Sequence, residues 1–457
     1  MTRDRSNDAA LRDMASRLLA QRGANPSPAP ASTTPRPAPR TAPSPGPRKR
    51  FSDHPGVVAV CELNAQRRAL WEPTGMPNPL FLPRTTPNTA LINSPQGELI
   101  NFSSYNYLGL AHHPRVVRAV QDAVAQYGAS ASNSRITSGE TELHPRLESR
   151  LAQMYDMDAA IIATSGFITN AGVIGFLLSE GDALVVDSLI HASVVTGARW
   201  AGARIITFRH NDPESLRGVL RTSRDRFKRV LVVIEGLYSM DGDIGRLPEI
   251  SAVAREYDCA VMVDEAHSVG IFGSHGFGVR EHFGLPGDAA DIWMGSLSKG
   301  LGSCGGFVAA SANVIEALHV APAMLLTVGV PPTAAAAALT ALEVIESEPE
   351  RLKRLWRNTE WFNSTLRERN IDLGLSENTP ICPVMIPGVN KVVYASSLLL
   401  QRGIYAGPVL SPGVAPGQER LRFFITSEHT EDQLKAAADQ LVEVVELAKN
   451  LDETVSV

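Results

Sequence analysis

The sequence predicts an α/β protein with a mostly parallel central sheet, helices on both faces, and a smaller α+β domain behind it. Three observations predict this. Short apolar, β-rich runs recur: "AAIIAT" (159–164), "DALVVD" (182–187), "RIITF" (204–208), "RVLVVIE" (229–235), "CAVMVD" (259–264), "DIWM" (291–294) and "GGFVAA" (305–310). Helical stretches such as "DPESLRGVLRTS" and "RLPEISAVAREYD" separate most of them, the pattern of strands buried on both faces. Beyond a long helical region over 330–370 the rhythm changes. "ICPVMIP" and "RLRFFIT" read as strands of a second domain, closed by the helix "TEDQLKAAADQLVEVVELAKN".

In chain order, residues 8–22 place Leu11, Met14, Leu18 and Leu19 on one helical face, so 1–22 reads as an amphipathic helix. Residues 23–50 alternate Pro with Ala, Ser, Thr and Arg, a composition that buries no core and makes a disordered, extended linker. The first 50 residues are thus either a plain disordered tail or a docking helix on a tether. Residues 51–98 are expected to pack with the small domain, 99–330 to form the large domain and 331–457 the small one.

The bulk composition excludes several classes. The 457 residues carry a net charge of −5, with 44% hydrophobic and 20% charged residues. No basic excess points to nucleic acid, and no apolar run approaches the roughly 20 residues that span a membrane. The N-terminus lacks the apolar stretch of a signal peptide, and Asp4, Asp8 and Asp13 argue against a transit peptide. Cys61, Cys259, Cys304 and Cys382 lie far apart without metal-ligand spacing, so no metal site is expected. Three of them sit in apolar or glycine-rich surroundings and read as buried free thiols of a cytoplasmic protein.

Two motifs mislead. "GLGSCG" (300–305) matches the dinucleotide fingerprint G-x-G-x-x-G, but a strand follows where that site needs a helix. "DEAH" (264–267) matches a helicase motif, but the chain has no G-x-x-x-x-G-K-[ST] segment to cradle phosphates.

The chemistry lies at the strand ends, where sheets of this kind bind ligands. Asp264 ends one apolar run, and Lys299 follows the next in "GSLSKGLGSCGG" (295–306). Taken singly, Asp264 reads as a helix cap and Lys299 as a solvated loop lysine. Together they fit pyridoxal 5'-phosphate (PLP), which forms a Schiff base with a lysine while a carboxylate partners its pyridinium nitrogen. A partly dry pocket lowers a lysine's pKa and makes its amine a usable nucleophile. Small neighbours leave such a lysine free to swing. His191 is the candidate to stack on the ring. "TSGFITNAG" (164–172) supplies a helix N-terminus for the phosphate, with Gly166 permitting close approach and Ser296 and Ser298 adding hydroxyls.

"NFSSYNYLGLA" (101–111), "TSGFITN", "DSLIHASVVTGAR" (187–199), "EGLYSMDGDIGRLPEI" (235–250), "VDEAHSVGIFG" (263–273), "GSLSKGLGSCGGFV" (295–308) and "RLRFFITSEHT" (420–430) resemble, in order, the motifs of the α-oxoamine synthases. These are fold type I PLP-dependent transferases. The resemblance runs from about Phe102 to the last helix. It implies a decarboxylating Claisen condensation of a small amino acid (glycine, alanine or serine) with an acyl thioester, giving an α-amino ketone. It also implies a homodimer with shared active sites.

By the same resemblance, Lys299 is the Schiff-base lysine and proton carrier, and Asp264 keeps the pyridine nitrogen protonated. His191 is the stacking histidine, which also contacts the substrate carboxylate. His267 and Ser239 hold the ring's phenolic oxygen, and Gly166, Phe167, Ser296 and Ser298 bind the phosphate. Arg422 takes the substrate carboxylate with its bidentate fork, and Asn106 stands on the substrate side. The chain departs from the family where "LTVGVPP" (326–332) replaces a hydroxyl-rich segment. Thr327 survives to reach the partner's phosphate, while Val328 and Gly329 carry no hydroxyl. "FRHND", "EGLYSMDGDI" and "SEHT" lean towards the serine palmitoyltransferase-like branch. The alternative is another fold type I enzyme such as an aminotransferase, which would need a keto acid in place of the thioester. The basic run "RPAPRTAPSPGPRKR" behind the N-terminal helix suits an acidic acyl carrier protein as thioester donor in place of CoA.

Overall fold

The computed structural model describes residues 50–71 and 75–451. The expected docking helix (1–22) and nearly all of the expected linker (23–50) lie outside the described residues. The chain divides into two units, residues 1–62 and 63–457. In the first, described residues 50–62 are exposed and comprise a turn at Phe51–Asp53 and the beginning of a helix, Pro55–Trp71.

In the second unit a hairpin comes first, β1 (Leu91–Ser94) and β2 (Gly97–Asn101). A seven-stranded sheet follows: β3 (Ala159–Ala163), β4 (Ala183–Asp187), β5 (Arg204–Phe208), β6 (Val230–Glu235), β7 (Ala260–Asp264), β8 (Ile292–Ser296) and β9 (Gly306–Ala310). Each β-rich run of the sequence is one of these strands. Their order is β3-β9-β8-β7-β6-β4-β5, and β9 runs antiparallel to both neighbours while the other pairs are parallel. The sheet is buried on both faces because successive residues feed different cores. Leu184 and Val186 meet Val173 and Ile174 of helix Gly166–Leu177 on one side, with Val194 of Ala192–Ala201. Val185, Val232 and Ile234 meet Leu216 and Leu220 of Pro213–Ser223 and Ile250 of Leu247–Glu256 on the other.

The later strands are β10 (Ile381–Met385), β11 (Ile404–Tyr405), β12 (Gly407–Val409) and β13 (Arg420–Phe424). β10-β13-β12 form an antiparallel sheet, and β11 pairs with β2 in parallel. A third core joins Phe102, Phe362, Leu366, Val384, Leu399, Phe423 and Leu441. The closing helix, Glu431–Lys449, starts with a reciprocal cap between Thr430 and Gln433.

The structure differs from expectation in three places. The helical region over 330–370 is two helices, Pro332–Ser347 and Glu350–Glu368. Pro349 breaks it, since a proline pushes the residue before it (Glu348, φ −127°, ψ 60°) out of the helical region. The alanine-rich first helix packs into the large core through Ala335, Ala338, Ala341 and Val344. The next helix, Glu350–Glu368, contributes to two cores, Leu355 to the large one and Phe362 to the small one. Three of the four thiols are expected to be buried, but only two are: Cys259 and Cys382 are buried, and Cys61 and Cys304 are exposed. The segment Gly300–Gly305 is a turn into strand β9, as a dinucleotide site would not be.

Candidate active site

The carboxyl ends of β3, β4, β6, β7 and β8 open on one cavity of about 240 Å³. It is lined by Lys299, Asp264, His191, His267 and Ser239, by Gly166 and Phe167, and by Ser296 and Ser298. The structure thus brings together nine of the twelve residues expected from sequence. Glu235, Asn170 and Ser193 also line it.

Asp264 is buried and held by two donors. Asn170 Nδ2 donates to its Oδ2 at 2.7 Å and the Ala266 amide to its Oδ1 at 2.9 Å. The same Asn170 Nδ2 lies 3.0 Å from Ser193 Oγ, which in turn lies 2.7 Å from His191 Nδ1. Because the Ser193 amide also donates to His191 Nδ1, that nitrogen is an acceptor and the ring's proton sits on Nε2. Burial lowers the His191 pKa, the nearby Lys299 charge lowers it further, and Asp264 opposes them without prevailing. The imidazole is therefore neutral near pH 7. It also caps helix Ala192–Ala201, and its ring centroid lies 6.2 Å from that of Phe167.

Lys299 is half-buried as a residue, but its amine is desolvated. Burial lowers its pKa, and the attraction of Asp264 and Glu235 does not cancel that. Glu235, buried beside Asp264, has its own pKa pushed well up, first by burial and then by its charged neighbour. Burial also drives His267 well below its usual range, helped by the charges of Lys299 and Arg422. Its Nδ1 lies 3.0 Å from the buried Tyr107 hydroxyl.

At the opposite wall, Ser165 caps helix Gly166–Leu177 and accepts from the Ile168 amide. Ser296 and Ser298 present hydroxyls 2.6 Å apart. A Cβ on Gly166 would stand 3.4 Å from Ser296, an ordinary contact, so the protein itself leaves room there. Gly306 is the tighter position: a Cβ would come 2.3 Å from Thr169 Oγ1, so glycine lets β9 lie against the start of this helix.

Three expected residues lie off the cavity. Arg422 donates to the Ser239 carbonyl at 2.7 Å and to the Tyr105 hydroxyl at 3.1 Å, and its Nε is buried with no partner among the described residues. It is one residue-layer away, bound to a wall of the cavity. The Tyr105 ring lies 5.9 Å from Lys299 Nζ. Asn106 does not reach the cavity. Its Oδ1 accepts from the Ala111 amide and its Nδ2 donates to the Asn88 carbonyl, so it closes a turn, and its neighbour Tyr105 approaches the lysine instead. Thr327 is half-buried in a separate apolar groove of about 500 Å³ that also contains Phe176, Trp200 and Leu326. Reading the sequence missed Asn170 and Ser193, although both lie inside quoted motifs, four residues after Gly166 and two after His191.

The donor set suits a phosphorylated, cationic ring carrying a carbonyl: an amine, a fixed carboxylate, a neutral imidazole, paired hydroxyls and a helix N-terminus on one small cavity. A family model described as aminotransferase class I and II matches residues 97–441. Fold and site together are those of this class. Serine palmitoyltransferase of Sphingobacterium spiritivorum is 39% identical over 352 residues, 77% of this chain and 88% of that protein. The 8-amino-7-oxononanoate synthase of Symbiobacterium thermophilum is 41% identical over 341 residues, 74% of this chain and 86% of that protein. Among solved structures, serine palmitoyltransferase of Sphingomonas wittichii matches 88% of this chain and 100% of its own, with a TM-score of 0.82 at 28% identity. The chain belongs to the aminotransferase class I and II family and, within it, to the α-oxoamine synthases.

Proposed function

We infer that this chain is a biosynthetic, PLP-dependent C-acyltransferase that condenses a small amino acid with an acyl thioester, with loss of carbon dioxide, to give an α-amino ketone. The observation that carries this is the desolvated amine of Lys299 and the doubly held carboxylate of Asp264 on one cavity. When bound, PLP would supply an electron sink that stabilises negative charge at the amino acid's Cα. The chain's own groups do the rest. Asp264 faces the ring nitrogen and keeps it cationic, and Asn170 keeps Asp264 in place. Lys299, with its pKa lowered, holds the cofactor and moves the Cα proton. His191 stacks on the ring as a neutral imidazole. His267 and Ser239 hold the phenolic oxygen. Ser296, Ser298 and the backbone at Gly166 and Phe167 take the phosphate. Arg422, held against the cavity wall by the Ser239 carbonyl, takes the substrate carboxylate with its guanidinium.

The test is to offer glycine, alanine and serine against CoA and carrier-protein thioesters, reading free thiol, carbon dioxide and product mass. Thiol release that depends on the amino acid is expected. Amino transfer to a keto acid without thiol release would overturn the reading.

Three finer points are part of the proposal. The enzyme works as a homodimer in the cytoplasm. The dimer is supported by the exposed Trp200 and Leu326 beside Thr327, which then reaches the partner's phosphate site. Trp200→Glu is expected to yield monomers in sedimentation analysis and to weaken PLP binding; a dimer of unchanged stability would count against it. The cytoplasmic location is supported by four unpaired cysteines, and no helix among the described residues is long and apolar enough to cross a membrane. The acyl donor rides on an acidic carrier protein, supported by the basic run over 36–50. Deleting residues 1–50 is expected to raise KM for carrier-bound donors while sparing short thioester mimics. An equal effect on both donors, or none, would remove the carrier from the proposal.

A further inference from the structure

The segment "HND" (210–212) plays no part in the chemistry above, yet each of its residues is committed. Asp212 caps helix Pro213–Ser223, accepting from the Ser215 amide at 2.9 Å. Asn211 sits at φ 52°, a conformation that asparagine tolerates better than most residues. Its side chain reaches the Ile244 carbonyl and Asp243 at 2.7 and 3.0 Å, and accepts from the Arg246 amide at 2.8 Å. His210 lies between two carboxylates: Nδ1 is 2.9 Å from Asp187 and Nε2 is 2.9 Å from Asp243. For both contacts to be hydrogen bonds both nitrogens must carry protons, so the ring is an imidazolium.

The two carboxylates belong to different loops. Asp187 ends β4 and also accepts from the Leu189 amide at 2.8 Å, which shapes the turn leading to His191. Asp243 lies in the loop after β6, whose Tyr238 amide donates to the Asp243 carbonyl at 3.0 Å and which carries Ser239. Tyr238 sets its ring edge-on to His210 at 4.5 Å. From the far side Arg422 holds the Ser239 carbonyl, and Arg420 pairs with Asp241 at 2.6 Å.

We propose that His210 is a positioning residue: by bonding Asp187 and Asp243 at once, it ties the loop carrying His191 to the loop carrying Ser239 and so sets the width of the cofactor cavity. The proposal rests on the functional reading above for the roles of His191 and Ser239. Burial works against protonation of His210, but its two carboxylate bonds outweigh that and push its pKa up to about 10, so the tie holds across the physiological range. Removing the cation leaves two buried carboxylates facing each other, and the loops part to let water in.

The test compares wild type, His210→Asn and Asp243→Asn. Asp243→Asn keeps the bond from His210 to Asp187 and loosens only the Ser239 loop. PLP affinity is expected to fall about tenfold or more in His210→Asn and by less in Asp243→Asn, as for other residues that orient the direct ligands of a bound group. The visible circular dichroism of bound PLP is expected to fall in the same order. Amide exchange over 188–190 and 237–244 is expected to quicken. A lower melting temperature with unchanged affinity, dichroism and exchange would make His210 merely structural and overturn the proposal. If His210→Asn does not fold, Asp243→Asn decides on the same readings. If wild type binds no PLP, the functional reading fails by itself, and amide exchange in Asp243→Asn still decides whether the loops are tied.

Discussion

Lys299→Ala is expected to lose turnover by at least about 10³-fold and to lose the visible absorbance of a covalently held cofactor. Proton transfer by a placed group is worth roughly 10²–10⁴-fold, and this residue also supplies the attachment. The fold should survive, because Lys299 lies in a turn after β8 and no hydrogen bond of the strands depends on its side chain. Two features make its amine effective. Burial lowers its pKa, so at neutral pH more of it is unprotonated than of a solvated lysine. Asp264 and Glu235 limit that fall, so the amine still takes up a proton readily. Borohydride treatment of the wild-type holoprotein is expected to leave the cofactor's mass on the peptide containing Lys299. An unmodified peptide would remove the basis of the enzymatic reading.

Asp264→Asn is expected to fold and bind the cofactor, but to turn over about 10²–10³-fold more slowly, the usual scale for removing one placed electrostatic partner. The substitution is nearly isosteric and keeps one acceptor. It cannot satisfy both Asn170 Nδ2 and the Ala266 amide, so a stability loss of about 1–2 kcal/mol is expected in chemical denaturation. The signs on the neighbours follow from the same charge. Asp264 raises the pKa of Lys299 and of His191, so both fall in the variant; it also raises that of Glu235, which falls as well. Turnover near the wild-type value would show that the ring nitrogen needs no anion at 264.

Much of the fold was legible because it rests on local patterns. The seven β-rich runs became the seven strands of one sheet because strands buried on both faces must be apolar, and only the edge strand β5 keeps exposed polar residues, Arg204 and Thr207. Their ends carried the site because parallel strands deliver their last residues to one edge. The break at Pro349 was legible in principle, since a proline interrupts a helix wherever it falls. The assignment of the alanine helix Pro332–Ser347 to the large core was not, because a run of small apolar residues packs against either layer equally well.

The site divides along the same line. Residue types and spacing determined that an amine, a carboxylate and a histidine would meet at the sheet's edge, and the motif order determined the family. Only the tertiary structure decided what orients them. Asn170 and Tyr107 hold Asp264 and His267 across gaps of 94 and 160 residues, contacts no local pattern encodes, while Ser193 holds His191 from two residues away. It also brought the Tyr105 ring to 5.9 Å from Lys299 Nζ while the Asn106 side chain closes its own turn, because adjacent side chains in a tight turn point in different directions.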